Sequence, residues 1–278
     1  MTSLRVLVTG AGDRSLGAAT AVALASLGAA VTVTRRSSAS EAAARLGHGI
    51  DGHDLDLADR ASVDAFARWY AEQHGRLDVL VNNAGIHLDL RSRWTEPQLV
   101  DGHEVHWRVN YLGTWHLTSA LLPLLRQAPS PRVVNVVSKL HRRGSNAALF
   151  GGVEPYDSWA AYGTSKLGLI HHAAELGRRH PTISGYAVHP GEVYTRIADR
   201  GLETSPALAR ARKLLAPIER RVLVTPEVGA RTSVLCATAP DLAPGYYRDE
   251  KPAEPTADAL DTTVAADLWD RTAEWCAR

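Results

Sequence analysis

Leu4-Arg5-Val6-Leu7-Val8-Thr9-Gly10-Ala11-Gly12-Asp13-Arg14-Ser15-Leu16-Gly17 is the stretch from which the fold can be argued. The apolar run Leu4 to Val8 has the length and bulk of a strand buried on both faces, and it opens directly into a glycine-rich turn. An Ala-rich helical pattern follows and stops near Leu27-Gly28. The same rhythm repeats downstream. Strands are expected at Ala30 to Thr34, Ile50 to Leu55, Val79 to Val81, Val133 to Val137 and Ser184 to Val188. Between them fall a helix at Ser62 to Gln73, a long helix around Asp101 to Leu122, and one beginning at Asp157 or Ser158 and ending at Arg178-Arg179-His180-Pro181. Strands alternating with helices of this length imply right-handed βαβ units and an α/β fold, a doubly wound and mostly parallel sheet with helices on both faces. Six strands are expected, with a candidate seventh at Tyr246-Tyr247.

Composition sets outer limits. A chain of 278 residues with 45% hydrophobic content can bury a large core as a single domain spanning 1–278. Its 31 basic and 30 acidic residues leave a net charge of +1, which favours neither nucleic acid nor an anionic membrane as partner. Cys236 and Cys276 are far apart and lack a companion at ligand spacing, so neither a disulfide framework nor a metal site is expected. The chain enters its first strand without an apolar leader and has no apolar run of membrane-spanning length, so a cytoplasmic location is expected. Residues 196–224 break the strand–helix rhythm with Leu, Ala and Arg between Gly201, Pro206 and Pro217, and read as a short helical lid after a strand's carboxyl end. Residues 225–278 hold a further helix, the last strand and a tail.

A glycine turn between a first strand and a helix lets the backbone approach a pyrophosphate, whose charge the helix N-terminus stabilises. Gly10, Gly12 and Gly17 are placed for this, which makes 4–195 a Rossmann-type dinucleotide-binding core. NAD calls for an acid at the end of the second strand; Arg35 and Arg36 stand there instead, with Arg14 in the glycine turn. Arginines suit a 2′-phosphate, so NADP(H) is the expected cofactor. Asp56-Leu57, after the third strand, is placed to hold the adenine, or its Asp simply caps a helix.

Further on, Tyr162-Gly163-Thr164-Ser165-Lys166 puts a phenol and an ammonium on one helical face, about 5 to 6 Å apart at Cβ. A fixed positive charge favours the phenolate and is expected to lower the Tyr162 pKa toward neutral. Such a residue can protonate a ketone oxygen or deprotonate an alcohol. Ser138 lies upstream at a strand end.

In this order the pieces resemble the short-chain dehydrogenase/reductase family, most of all its branch of retinol dehydrogenases and WW-domain oxidoreductases. The resemblance runs through Thr9-Gly10 with Leu16-Gly17, Asp56-Leu57, Asn82-Asn83-Ala84-Gly85, Val109-Asn110-Tyr111-Leu112-Gly113, Val134-Asn135-Val136-Val137-Ser138, Tyr162 to Leu167, and His189-Pro190-Gly191-Glu192-Val193-Tyr194-Thr195. It implies a catalytic tetrad of Asn110, Ser138, Tyr162 and Lys166. Ser138 would bond the substrate oxygen, Tyr162 would be the general acid or base, Lys166 would lower its pKa and bond the nicotinamide ribose, and Asn110 would hold a relay water. Asn83, Ala84 and Gly85 would floor the cofactor pocket, and Pro190, Gly191, Val193 and Thr195 would position the nicotinamide amide. The glycine turn departs from the family pattern, with four residues between the first and second glycine positions and Ser15 at the second, and is expected to loosen the grip on the pyrophosphate. Lys139, His141, Arg142 and Arg143 form a basic loop after Ser138 that is expected to face water.

The leading function is an NADP(H)-dependent reductase or dehydrogenase of a small carbonyl or alcohol. A non-redox cyclase or dehydratase, an enoyl reductase and a cofactor-sensing protein are the alternatives. Pairing into a homodimer or homotetramer through the helices around 101–125 and 158–180 is implied by the resemblance. Phe150, Tyr156, Trp159 and Tyr194 either line an apolar pocket or pack the lid.

Overall fold

The computed structural model describes residues 3–89, 93–192 and 224–277. The predicted central strand is there: β1 (Arg5–Thr9) buries Val6, Leu7 and Val8 completely. After it come α1 (Leu16–Ser26), β2 (Ala30–Arg35), α2 (Ala39–Leu46), β3 (Asp51–Asp54), α3 (Arg60–His74) and β4 (Val79–Asn82). The hairpin β5 (Leu99–Val100) and β6 (His103–Glu104) precedes α4 (Gly113–Leu125), β7 (Arg132–Val136), α5 (Asn146–Gly151), α6 (Ser158–Arg179) and β8 (Ser184–His189). The C-terminal part supplies α7 (Pro226–Thr238), β9 (Gly245–Arg248), β10 (Lys251–Pro252) and α8 (Thr262–Ala277).

The sheet runs β10-β9-β8-β7-β4-β1-β2-β3 and is parallel throughout except at the β9/β10 edge. Seven of its strands are those expected, the seventh at Tyr246-Tyr247 among them. Side chains alternate across it. Leu7, Leu80 and Val133 pack on one face with α3, α4 and α6, while Val6, Val8, Val79, Val81, Val134 and Val136 pack on the other. Strand order reverses between β1 and β4, and such a switch point opens a crevice at the strands' carboxyl ends. Thr9-Gly10 and Asn82-Asn83 lie there.

The helix expected from Asp101 onward begins later. Asp101 and Gly102, both with positive φ, turn the β5/β6 hairpin, and the helix starts with a π-helical stretch, Trp107–Leu112. Asp101 is therefore a turn residue outside the helix, and Glu104 accepts from Trp107 N at 2.9 Å where the helix starts. Asp157 does cap α6, accepting from Trp159 N and Ala160 N at 2.7 and 3.0 Å.

Helix α8 lies across the outer side of α4 and α6. Trp269 meets the Trp115 ring at 5.6 Å and stacks on His172 at 5.5 Å, Thr272 bonds the Tyr111 hydroxyl at 2.9 Å, and Trp275 meets Trp107 at 6.3 Å. Both tryptophans of the α4 region are thus packed within the chain. No helix among the described residues is long and apolar enough to cross a membrane. Val193, Tyr194, Thr195 and the expected lid up to 223 lie outside the described residues.

Candidate active site

The crevice is stitched together by short polar side chains. The Thr9 hydroxyl oxygen accepts from Asn83 N and Ala84 N at 3.1 and 3.0 Å, and Asn83 Nδ2 donates to Thr9 O at 2.8 Å. This locks the Asn82 to Gly85 loop onto the glycine turn. That turn is also tied to the end of β2, because Gly10 N and Ala11 N both donate to Thr34 O. Arg14, exposed with φ of 52°, and Arg35-Arg36 therefore share one corner of the sheet. None of the three forms an ion pair among the described residues.

Ser15 N-caps α1, its hydroxyl oxygen accepting from Ala18 N at 3.1 Å. Leu16 and Leu57 are core residues, and Leu57 O accepts from the buried Arg108 at 2.9 Å. Asp56 accepts from Ala58 N at 2.9 Å in a local turn and does not cap α3, whose N-cap is Asp59, accepting from Ala61 N at 2.9 Å. A Cβ on Gly12 would meet no protein atom within 4 Å, so close packing is not what this glycine serves. Pro190-Gly191 follows β8, and Gly191 N donates to His189 Nδ1 at 2.8 Å.

The four residues of the expected tetrad lie together at the other end of the crevice. Ser138 follows β7, Tyr162 and Lys166 lie in the first half of α6, and Asn110 sits in the π-helical stretch. Lys166 Nζ donates to Val136 O at 3.0 Å and lies 5.7 Å from the Tyr162 ring centroid. Asn110 grips residue 86 at both ends: Ile86 N donates to its Oδ1 at 2.8 Å and its Nδ2 donates to Ile86 O at 3.0 Å. It also donates to Ser165 Oγ at 3.1 Å, whose hydroxyl donates to Tyr162 O at 2.7 Å. Gly85 completes the packing, since a Cβ there would come within 3.2 Å of Lys166 Nζ and 3.3 Å of Asn110 Oδ1.

Electrostatics corrects one expectation. Burial pushes the Tyr162 phenol up to about 12, and the group that pulls it back is the Ser138 hydroxyl, through a hydrogen bond. Lys166 is itself buried, which brings its ammonium down to about 8. An ammonium taken out of water and turned to a carbonyl does not outweigh the burial of the phenol.

Three arrangements here carry no sequence signal of their own. His141 is buried although Lys139, Arg142 and Arg143 around it are exposed, so the basic loop faces water at only three of its four positions. Its Nδ1 lies 2.7 Å from Ser138 O and must carry the proton, which leaves Nε2 to accept from Thr256 N at 3.3 Å. Lys139 pairs with Glu192. On the other side, Glu104 lies 2.7 Å from His106 Nδ1 and accepts from the Tyr156 hydroxyl at 3.1 Å, and His106 Nε2 accepts from Leu88 N at 3.0 Å. His87 stacks on the Tyr162 ring. Of the aromatic pocket candidates, Tyr156 serves Glu104, Trp159 meets His87 edge-on at 4.8 Å, and Phe150 packs against the core. The one readable hint was position, with His87 two residues after the Asn82 to Gly85 motif.

A family model described as short chain dehydrogenase matches residues 5–205. The chain belongs to the short-chain dehydrogenase family. Mouse "Retinol dehydrogenase 14" is 37% identical over 288 residues, covering 95% of this chain and 83% of that protein. A "Probable oxidoreductase" of Streptomyces lividans is 35% identical, covering 97% and 96%. Among solved structures, a putative uncharacterized protein from Mycobacterium paratuberculosis superimposes with a TM-score of 0.74 at 28% identity, covering 98% of this chain and 93% of the other. This short-chain dehydrogenase is thus an oxidoreductase of the retinol dehydrogenase-like branch. The family uses a nicotinamide cofactor, NAD or NADP, and the glycine turn with an open Gly12 fits such a group.

Proposed function

We propose that the chain is an NADP(H)-dependent oxidoreductase that interconverts a ketone or aldehyde and the corresponding alcohol of a small organic molecule. The observation that carries this is the packing of Lys166 and Asn110 against Tyr162, with all three buried, Lys166 Nζ 5.7 Å from the phenol ring centroid and Asn110 tied to Tyr162 O through Ser165. When bound, NADP(H) would supply or accept the hydride at the nicotinamide ring. Gly10, Gly12, Ser15 and Gly17 would seat its pyrophosphate at the start of α1. Arg14, Arg35 and Arg36 would meet the 2′-phosphate, and Asn83 to Gly85 with Pro190-Gly191 would border the nicotinamide.

In reduction, Ser138 Oγ donates a hydrogen bond to the substrate oxygen as negative charge builds on it. Tyr162 gives its proton to that oxygen. A phenol raised to about 12 holds its proton at neutral pH until an alkoxide needs it, which suits a general acid. Lys166, lowered to about 8, remains largely an ammonium at pH 7 and stabilises the phenolate left behind. Asn110 holds the strip at Ile86 against α6 and so fixes the distance between the crevice floor and the phenol.

The test is a titration with NADPH and NADH read by energy transfer from tryptophan, followed by a carbonyl panel read at the NADPH absorbance. Tight NADPH binding, weaker NADH binding and turnover of at least one carbonyl are expected. Binding of neither nucleotide sinks the proposal.

A further inference from the structure

One polar side chain at the catalytic end has no part in that scheme. The His87 ring lies flat on Tyr162, with centroids 4.4 Å apart and planes 12° apart, and the His106 ring closes a third side at 5.5 Å. The residue is 2% exposed, and its Nε2 is buried with no hydrogen-bond partner among the described residues. Leaving a buried imidazole nitrogen unpaired costs stability, and an apolar ring would stack on the phenol equally well.

The backbone on both sides of His87 is nevertheless held by side chains. Asn110 grips Ile86 at both its N–H and its carbonyl. On the other flank, His106 accepts from Leu88 N, and Glu104 and Tyr156 anchor His106 in turn. Burying a carboxylate beside an imidazole is costly, and here the pair's visible effect is to fix position 88. With 86 and 88 both held, the ring between them is pre-organised beside the reacting phenol.

Resting on the reading of Tyr162 as the proton donor, we propose that His87 is a substrate-contacting specificity residue whose unpaired ring nitrogen hydrogen-bonds a second oxygen of the substrate. That oxygen is a hydroxyl or keto group on a carbon next to the reacting carbonyl. The substrate class is then a small oxygenated ketone or aldehyde, not a hydrocarbon chain ending in a single oxygen. The imidazole offers one N–H donor and one acceptor nitrogen, so either kind of oxygen can be met.

The test compares wild type with His87→Phe and His87→Gln on matched substrates, 2-hydroxyacetophenone against acetophenone and 2-hydroxycyclohexanone against cyclohexanone. Wild type is expected to favour the hydroxy ketones in kcat/KM by at least about tenfold. His87→Phe should bring that ratio near one with NADPH affinity kept, and His87→Gln should restore part of it. Equal ratios in wild type and His87→Phe, or a wild-type preference for the plain ketones, overturn the proposal. A readout independent of turnover is the His87 ring 15N resonance on adding the corresponding diols and plain alcohols: a shift with the diols alone supports the contact, and no shift overturns it. If NADPH binds and no carbonyl is turned over, the redox reading fails while this resonance still decides the contact.

Discussion

At the nucleotide side of the crevice the expected recognition groups are Arg14, Arg35 and Arg36, which lie at or near the surface and have no ion-pair partner among the described residues. At the side proposed to be catalytic, Asn110, Tyr162 and Lys166 are at most 6% exposed, and each is tied to a neighbour inside the chain. Exposed charges are screened and can adjust to a ligand, whereas buried polar groups hold one geometry and are costly to leave unpaired. Changes on the first side should therefore alter which nucleotide binds. Changes on the second should alter rate and stability and leave nucleotide choice alone.

The strongest way to break that contrast is Tyr162→Phe, which removes only the proton donor. We expect kcat to fall by about 10² to 10⁴ while NADPH affinity stays within about twofold. Equal loss of both would show that the phenol serves binding, and the contrast would fail. On the other side, Arg35→Glu combined with Arg36→Ala should weaken NADPH about 10- to 100-fold and leave NADH and the melting temperature nearly unchanged. The wild-type preference for NADPH should also shrink as salt rises.

A smaller effect concerns stability against pH in the nucleotide-free protein. Lys166 is lowered from 10.5 to about 8, so the folded state holds this proton less tightly than the unfolded chain does. The cost of burying its charge is then fully present below about pH 8 and is relieved as pH rises toward 10.5. Lys166→Met should melt higher than wild type at pH 7, with the gap closing between about pH 8 and 10. Tyr162 runs the other way, its stabilising term being lost only as pH rises from 10 toward 12, so the window should stop near pH 10. A constant gap across that window would contradict the burial argument. The smallest effect is expected for Lys139→Ala, because both members of its pair with Glu192 are more than half exposed. Stability should change by less than about 0.5 kcal/mol, read by urea denaturation.

Much of the fold was legible because parallel strands buried on both faces read as short apolar runs, and because Thr9-Gly10 and Gly17 mark where a strand gives way to a helix. The chain order of Ser138, Tyr162 and Lys166 was legible for the same local reason. The hairpin at Asp101-Gly102 was not, since that pair serves a helix start and a turn equally well until Glu104 is seen capping Trp107. The stack of His87 on Tyr162, 75 residues apart, and the bond from His141 to Thr256, 115 residues apart, depend on which elements become neighbours, and no local pattern announces that. The phenol's environment was misread for a related reason. Spacing places Lys166 beside Tyr162, but only packing decides how deeply both are buried.

The cover that α8 lays over α4 and α6 has a consequence in time. Its first residue is made about 80 residues after α6 ends, which at ~5 to 20 residues per second is on the order of 5 to 15 s of synthesis. Throughout that interval the side of α6 that carries His172, and the neighbouring Trp115, have no Trp269 to lie against. The strands around the glycine turn can pair as they emerge, but α6 lacks this cover on its outer side until α8 arrives. For a growing chain this is the surface a chaperone would have to shield.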